Sequence, residues 1–283
     1  MNNRDGTSPK HASVGEQSDS PREPFRCEVI ARPAEMSVER AAELREQVIR
    51  LSALATSQGD LSYRPALEGW TRYYATPGDR PQDYHRLSLI YANDELVSLA
   101  ALKLFKTQKE PQVDVIWLQL ILTEPRYQRT AATARVLSQL LVDEDFQAGL
   151  TRGYMVARTP NPLVYDAARR LRAWINKRGM LEFSRVLPVI EPNARLQPIP
   201  EQHRAHLNEI MSMISRPERF RSDTFVVSGY YEAFGPLYKA YEFRCKDEAI
   251  REYFARHVHW ESQDGLFLAA PFQASSPGAG TSA

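Results

Sequence analysis

The feature that most constrains the fold is an unbroken strand-like run in the middle of the chain, residues 113–123. It reads VDVIWLQLILT, which is rich in β-branched and apolar residues and apolar at consecutive positions towards its end. Strands lose polar/apolar alternation when both of their faces are covered, so this run predicts a central strand with other elements packed above and below it. Pro125 ends the strand, because proline cannot donate a backbone hydrogen bond to a neighbour.

The segments on either side alternate between helical spacing and strand alternation. The pattern predicts, in residue numbers, a helix at 37–57, two strands at 84–92 and 95–105 joined by a tight turn, a helix at 130–146, a strand at 154–159 and a helix from 161 to 179. In the last third it predicts helices at 200–215 and 247–259 and strands at 224–231 and 266–270. These C-terminal elements either extend the same sheet or form a small second lobe.

Composition limits the domain organisation. With 43% hydrophobic residues, the 283-residue chain can bury one large core, with or without a smaller companion. Both ends are polar or made of small residues, and they cannot bury enough apolar surface to offset the entropy of ordering. We therefore expect a disordered N-terminal segment, a first domain, a C-terminal extension or lobe, and a disordered tail at residues 1–25, 26–190, 191–273 and 274–283.

The turn after the central strand carries the strongest chemical signal. It reads PRYQRTAAT over residues 125–133, so a buried strand passes through a short polar turn into a helix that begins with small side chains. The free N–H groups and the positive dipole end of a helix N-terminus suit a phosphate group, and Arg129 adds a cation. Taken by itself, the segment is either an anion site or an ordinary connection between a strand and a helix.

The same segment resembles the acyl-CoA motif of the GNAT superfamily of N-acyltransferases, in which Gln/Arg-x-x-Gly-x-Gly/Ala opens a helix after a strand. Gln128 matches the first position, Ala131 the first glycine and Thr133 the final small residue, and the last two depart from glycine. The resemblance covers about residues 36–180, within the predicted domain of residues 26–190. It implies an α/β fold with a mixed, mainly antiparallel twisted sheet flanked by helices, and acetyl-CoA or another acyl-CoA as co-substrate.

The resemblance also implies roles for residues around the cofactor. The end of the central strand would offer backbone groups to the pantetheine arm, and the turn would hold the pyrophosphate. The residues concerned are Ile121, Leu122 and Thr123 for the arm, and Gln128, Arg129, Thr130, Ala131, Ala132 and Thr133 for the pyrophosphate. Asn161 is similar to an asparagine that many members use near the cofactor, and it is an equally good helix N-cap. The central strand is expected to separate from strand 154–159 and leave a cleft for the thioester.

The catalytic groups are less clearly marked. Attack of an amine on a thioester needs a base, donors for the oxyanion and an acid for the thiolate. The family often places a glutamate on the central strand and a tyrosine seven residues after the asparagine, where this chain has Ala168. Tyr165 lies on another helical face and is expected to pack. Trp117 and Gln119 share a strand face and are predicted to line the acceptor side of the cleft. The catalytic candidates are Asp114, Gln119 and Glu124.

Two functions of different classes remain open. One is an N-acyltransferase that transfers an acetyl or other acyl group to a small-molecule or protein amine. The other is a catalytically impaired binding module or scaffold for acyl-CoA or a partner protein, which the missing glutamate and tyrosine favour. RNA binding through the basic residues of helix 161–179 is the weakest alternative, because those residues lie opposite the apolar stripe.

Charge and cysteine usage exclude other classes. The 36 basic and 35 acidic residues nearly cancel, which gives no long-range attraction to nucleic acid or to an anionic membrane. No run approaches the roughly 18 apolar residues of a membrane helix. Two cysteines, expected to be free, favour the cytoplasm. The histidine pairs at 203/206 and 257/259 lack a third ligand nearby, so no metal site is expected.

Overall fold

The chain folds around one mixed sheet. The computed structural model describes residues 25–128, 130, 132–142, 144–147, 149–176, 181–239, 245–259 and 261–274. Its strands are β1 Arg26–Ile30, β2 Arg86–Ala92, β3 Glu95–Lys106, β4 Asp114–Thr123, β5 Arg152–Thr159, β6 Leu181–Phe183, β7 Phe220–Arg221, β8 Val226–Val227 and β9 Gly265–Ala274. Its helices are α1 Val38–Thr56, α2 Arg64–Tyr73, α3 Ala132–Val142, α4 Glu144–Gln147, α5 Pro162–Asn176, α6 Glu201–Ile214 and α7 Glu248–His257.

The strand order places β4 and β5 at the centre of the sheet. The order is β1-β2-β3-β4-β5-β9-β8-β7, with β6 also paired to β9. Neighbouring strands are antiparallel except β4 and β5, which run parallel. The predicted fold class, a mixed and mainly antiparallel sheet flanked by helices, is confirmed.

The predicted central strand is confirmed as β4. Every residue of β4 is buried except Ile121, which is half-buried. One face packs with α3, where Ile116 and Leu118 join a core containing Val136 and Leu140. The other face packs with α1 and α2, where Leu120 joins a second core. The apolar run therefore has the physical cause that the sequence suggested: helices cover both of its faces.

The hairpin before β4 is also confirmed. Asn93 and Asp94 join β2 to β3 with φ values of 49° and 61°. A type I′ hairpin turn needs left-handed backbone at both positions, and Asn and Asp tolerate that conformation better than most residues.

Several boundaries differ from the predictions. The predicted helix at 130–146 is represented by α3 and α4, which begin at Ala132 and end at Gln147, and α2 and β1 were not predicted. The predicted strand at 224–231 contains only the two residues of β8, because Phe225 and Gly229 adopt left-handed φ values of 56° and 59° and bend the chain on both sides. Strands cannot continue through such residues.

The C-terminal segment belongs to the same sheet. Strand β9 pairs with β5 along the whole length of β5, from Arg152 opposite Gln273 to Thr159 opposite Leu266. Strands β7 and β8 continue this sheet beyond β9. The proposed boundary at residue 190 stays a prediction.

The predicted disordered ends fall almost wholly outside the described residues, which begin at residue 25 and end at 274. Cys27 and Cys245 are both free, the first exposed and the second buried. Within the described part of the chain, no helix combines the length and apolar character required to cross a membrane.

Candidate functional site

The two central parallel strands form a fork. Pairing between β4 and β5 runs from Asp114 opposite Gly153 to Leu118 opposite Ala157 and then stops. At this point β4 contains a bulge: Leu102 of β3 faces Leu118, whereas Ala101 faces Leu120, so the residue between them, Gln119, is unmatched. A bulge leaves one residue out of the ladder and bends the strand. Beyond Leu118, no described strand pairs with the β5 side of β4.

A cavity of about 400 Å³ opens from the fork on the face covered by α3 and α5. Its walls are almost entirely apolar, although two arginines of α5 are among the lining residues. The lining residues from the elements that matter here are Leu118 and Ile121 of β4, Met155 and Ala157 of β5, Thr133 and Leu137 of α3, and Val164, Ala168, Arg170 and Arg172 of α5. An apolar cavity of this size can accept a largely uncharged part of a ligand.

The helix start at one end of the cavity is organised by threonines. The Thr130 hydroxyl donates to the Tyr127 carbonyl at 2.7 Å and accepts the Ala132 N–H at 3.2 Å, which caps the first turn of α3. The hydroxyl groups of Thr133 and Thr123 form a hydrogen bond of 2.8 Å. Both Thr130 and Thr133 line the cavity.

The remaining predicted cofactor residues of this segment have different positions. Ile121 lines the cavity, whereas Leu122 and Ala132 are buried in the cores. The exposed Gln128 side chain donates to the Thr123 carbonyl at 3.2 Å. Arg129 and Ala131 lie outside the described residues.

Asn161 acts as a helix cap in this structure. Its Oδ1 accepts the backbone N–H of Leu163 at 2.9 Å at the start of α5. Its own backbone N–H donates to the hydroxyl of Thr159 at 3.0 Å. These bonds account for an asparagine at this position without a cofactor.

On the opposite face of the fork, Gln119 lies in a buried polar network. Its Nε2 donates to the Tyr73 hydroxyl at 2.6 Å and to Oδ1 of Asp79 at 2.5 Å. The Tyr73 hydroxyl in turn hydrogen bonds to Asp79. Gln119 Oε1 is buried and has no hydrogen-bond partner among the described residues. The network joins β4 to α2 and to the loop that follows α2.

The surroundings of Asp79 change the pKa of its carboxyl group. Burial raises its pKa, and this effect exceeds the opposing effects of Lys103, the hydrogen bonds of the network and Arg158. Burial likewise lowers the pKa of Lys103, although the charge of Asp79 opposes that shift. A carboxylate whose pKa is raised by burial and by a specific set of partners is a candidate general base.

Trp117 lies on the same face and between two cations. Lys103 Nζ is 5.2 Å and Arg158 Cζ 5.0 Å from the centroid of its ring. Arg158 is the first residue of β5 beyond the pairing with β4, and it points away from the cavity lined by its neighbour Ala157. The predicted acceptor-side pair, Trp117 and Gln119, is therefore accompanied by charged side chains.

The other two predicted catalytic residues lie elsewhere. Asp114 begins β4 at the end away from the fork, where its Oδ2 accepts the Thr151 N–H at 3.0 Å and its Oδ1 faces Lys106 at 3.4 Å. Glu124 follows β4 and forms an ion pair with Arg126. Of the three candidates, Gln119 is the one that lies in the network.

Tyr165 is a structural residue, as expected. Its buried hydroxyl donates to the Pro188 carbonyl at 2.8 Å and accepts the Ile190 N–H at 3.2 Å. Ala168, which stands where the family often has a tyrosine, lines the cavity.

The alternative sites have ordinary structural contacts. His203 Nδ1 shares a hydrogen bond of 2.7 Å with the Tyr154 hydroxyl. On the basic helix, Arg169 pairs with Asp247 and Arg170 with Asp166. Within the described residues, histidine, cysteine and acidic side chains form no group of three or more that could hold a metal.

Sequence reasoning missed Tyr73, Asp79 and Arg158. Asp79 stands in the segment Pro-Gly-Asp-Arg-Pro at 77–81, which indicates a turn and carries no chemical signature. Tyr73 has the pattern of a core aromatic, and it is fully buried. Their proximity to Gln119 depends on long-range packing.

Comparisons with known proteins complete the description. No protein-family model matches the chain, and a search of curated proteins finds no relative. Among solved structures, the chain is similar to an Enterococcus faecalis protein described as a probable N-acyltransferase, with 11% identity and a TM-score of 0.34 over 52% of this chain and 32% of the other. The chain thus spans about a third of the length of that protein.

Two further structures are covered almost completely. The PaiA N-acetyltransferase of Thermoplasma acidophilum, solved with coenzyme A, has 14% identity and a TM-score of 0.34 over 58% of this chain and 92% of the other. The ElaA protein of Escherichia coli has 17% identity and a TM-score of 0.32 over 59% and 90%. Likenesses at this level carry no argument about function, which has to come from the geometry of the site.

Proposed function

We propose that the chain is an acyl-CoA-dependent N-acyltransferase. The fork between β4 and β5 carries this proposal, because an apolar cavity lies on one of its faces and a half-buried carboxylate network on the other. An acyl thioester extended through the cavity presents its carbonyl carbon at the fork. An amine that approaches from the opposite face meets that carbon beside Asp79 and Gln119.

The cofactor side follows from the shape of the cavity. The pantetheine arm lies against Ile121 and Ala157, and the pyrophosphate lies at the start of α3, near Thr130 and Thr133. The helix start contributes N–H groups and a favourable dipole. Acetyl-CoA is the simplest co-substrate of this class.

The acceptor side supplies the proton chemistry. The incoming ammonium group gives a proton to Asp79, and the free amine attacks the thioester carbonyl. The C–N bond forms, and backbone N–H groups at the β4 bulge stabilise the oxyanion. The C–S bond then breaks, the amide nitrogen loses its second proton, and the thiolate takes up a proton to leave as the thiol. Gln119 positions Asp79 through their 2.5 Å hydrogen bond.

A second candidate is a binding module that holds acyl-CoA without turnover. The observation that favours it is the position of Ala168 in the cavity where a tyrosine acid is often found, together with the complete engagement of the Tyr165 hydroxyl. This function needs the cofactor side of the fork and leaves the Asp79 network without a chemical role.

Calorimetry with CoA and acetyl-CoA, followed by thiol release with an amine panel, tests the proposal. Binding with release supports the enzyme, binding without release from any amine supports the module, and no binding of either compound refutes both.

The phosphate position has its own matched pair of variants. Thr130→Asp keeps an oxygen that can cap Ala132 and adds a negative charge, whereas Thr130→Asn has nearly the same volume without the charge. We expect the Asp variant to bind CoA at least about tenfold more weakly than the Asn variant, or about 1.4 kcal/mol. Its stability should hold or rise by about 0.3–1 kcal/mol, since an anion at a helix start is favourable. Equal CoA affinity in the two variants would place the phosphates elsewhere.

A further inference from the structure

The guanidinium group of Arg158 has an unusual environment for a buried cation. Its Nε, Nη1 and Nη2 are all buried, and none has a hydrogen-bond partner among the described residues. Buried charges in proteins are nearly always paired and hydrogen-bonded, because removal from water is costly. None of the three nitrogen atoms of Arg158 therefore donates a hydrogen bond to a described residue.

The contacts that Arg158 does make are with aromatic rings, which stack on its planar guanidinium group. Its Cζ is 3.2 Å from the centroid of the Tyr230 ring and 5.0 Å from that of Trp117. Stacking on an aromatic ring stabilises the charge through the flat face of the guanidinium. The N–H bonds lie in the plane, so stacking leaves them free for a planar acceptor such as a carboxylate, which can take two of them at once.

The surrounding charges favour an anion at this position. Lys103 and Arg158 both border Trp117, and Asp79 is the acidic group whose pKa both cations lower. Lys103 also faces Asp83, but Asp83 is paired with Arg80, so two positive charges remain opposite Asp79 in this part of the described structure. A ligand that brings one negative charge to Arg158 and one ammonium group to Asp79 balances the site.

We propose that the acceptor of this acyltransferase is an amine that carries a carboxylate, such as an amino acid, and that Arg158 binds that carboxylate. The inference rests on the proposed function. Arg158 extends from β5 immediately beyond the fork, on the face that holds Asp79, so the carboxylate binds to the guanidinium while the amine faces the thioester. Arg158 is thereby a specificity-determining residue, with Tyr230 and Trp117 holding its plane in position.

Matched acceptors test this assignment. Thiol release is measured with a panel of amino acids, each compared with its own amide, and kcat/KM is corrected for the fraction of free amine. Without this correction the assay would favour the amides, because an amide lowers the pKa of the neighbouring amine and so increases the fraction of free amine. We expect at least one acid to exceed its amide about tenfold or more, in line with a charge-assisted bidentate bond. Arg158→Gln should reduce that ratio to about twofold or less. Arg158→Lys should retain an intermediate ratio, because lysine keeps the positive charge but lacks the two parallel N–H donors of the guanidinium.

Two controls separate this inference from the proposed function. Both Arg158 variants should bind CoA as the parent does, since Arg158 lies outside the cavity. If transfer occurs and every acid and amide pair reacts equally, the carboxylate site is refuted while the acyltransferase stands.

If the parent binds no CoA, the proposed function fails, and the Arg158 site is then decided by melting temperature with N-acetylated amino acids and their amides. Stabilisation of the parent by the acids alone, lost in Arg158→Gln, supports the site. No stabilisation by any acid overturns it.

Discussion

Two aspartates on one loop allow the role of Asp79 to be tested against a matched neighbour. Asp79 and Asp83 lie on the same loop but differ in environment. Burial raises the pKa of Asp79 above its ordinary value of 3.8. Burial also opposes ionisation of Asp83, but hydrogen bonds from the Arg80 side chain and from the N–H groups of Gly78 and Arg80 together lower its pKa. Substitution of each by asparagine removes a charge with almost no change in shape.

The two substitutions should have opposite effects. In Asp79→Asn the new side chain can still accept the hydrogen bond from Gln119, so the network keeps its geometry. Loss of a general base typically costs about 10²–10⁴ in rate, or about 2.7–5.4 kcal/mol in the barrier. We therefore expect kcat to fall by that factor in Asp79→Asn while CoA affinity is unchanged. Asp83→Asn should keep kcat within about threefold, because surface ion pairs contribute little beyond local stability.

The two aspartates should change the free energy of unfolding with pH in opposite directions, because the pKa of Asp79 is raised and that of Asp83 is lowered. The folded state binds the Asp79 proton more tightly than the unfolded state, so the parent loses stability as pH rises from 3.8 through the raised pKa. Asp79→Asn should thus be more stable than the parent at neutral pH, with the difference vanishing below about pH 4. Asp83 stabilises the fold above 3.8 and loses that contribution as pH falls through its lowered pKa, so Asp83→Asn should be less stable at neutral pH.

Thiol release, CoA calorimetry and urea unfolding at pH 4 and pH 7 measure all of these quantities. An Asp79→Asn enzyme that keeps more than a third of the parent kcat would remove Asp79 as the base. An equal loss of kcat in Asp83→Asn would show that the loop acts through its structure.

Three other substitutions test single hydrogen bonds. Gln119→Ala should lower kcat by about 10–100-fold without changing CoA affinity, because it frees Asp79 to move and proximity effects of this size are common; equal turnover would exclude this strand from the mechanism. Tyr165→Phe should reduce the free energy of unfolding by about 1–3 kcal/mol, since the Ile190 N–H loses a buried partner, and should leave kcat unchanged; a large loss of kcat would make it the acid. Asn161→Ala should cost about 0.5–2 kcal/mol of stability, with Asn161→Asp near the parent and CoA affinity the same in both; weaker CoA binding by Asn161→Ala alone would restore its cofactor role.

The parts of the fold that could be predicted are those specified by local sequence. Strand β4 is encoded by a run that is apolar on both faces, and the β2–β3 hairpin by two residues that accept left-handed backbone. Helix α2 was missed, although it begins after Tyr63 with proline near its first turn. The Pro-rich and Gly-containing sequence around it resembles a loop, and packing of Trp70 and Tyr73 in the second core determines the helix instead.

The cofactor side was partly visible in the sequence for the same reason. A strand, a turn and a helix that follow one another along the chain remain together in space, so residues 121–133 could be located before the fold was known. The structure places Ile121, Thr130 and Thr133 on the cavity and directs Leu122 and Ala132 into the cores. The directions of Ile121 and Leu122 depend on the bulge at Gln119, which the sequence does not reveal.

The acceptor side was hidden because its members come from separate elements, each with an ordinary local explanation. Tyr73 is a core aromatic of α2, Asp79 a turn residue, and Arg158 a charged residue near the end of a short strand. Gln119 lies 40 residues from Asp79, and no local pattern connects them. The connection arises because β4 and β5 are parallel and separate after five paired positions, so that residues beyond Leu118 and Ala157 lose a strand neighbour and turn towards whatever covers that face. The geometry that disrupts the sheet therefore also assembles the polar groups, and this is why the fork, more than any motif, is the part of the molecule on which the function should be tested.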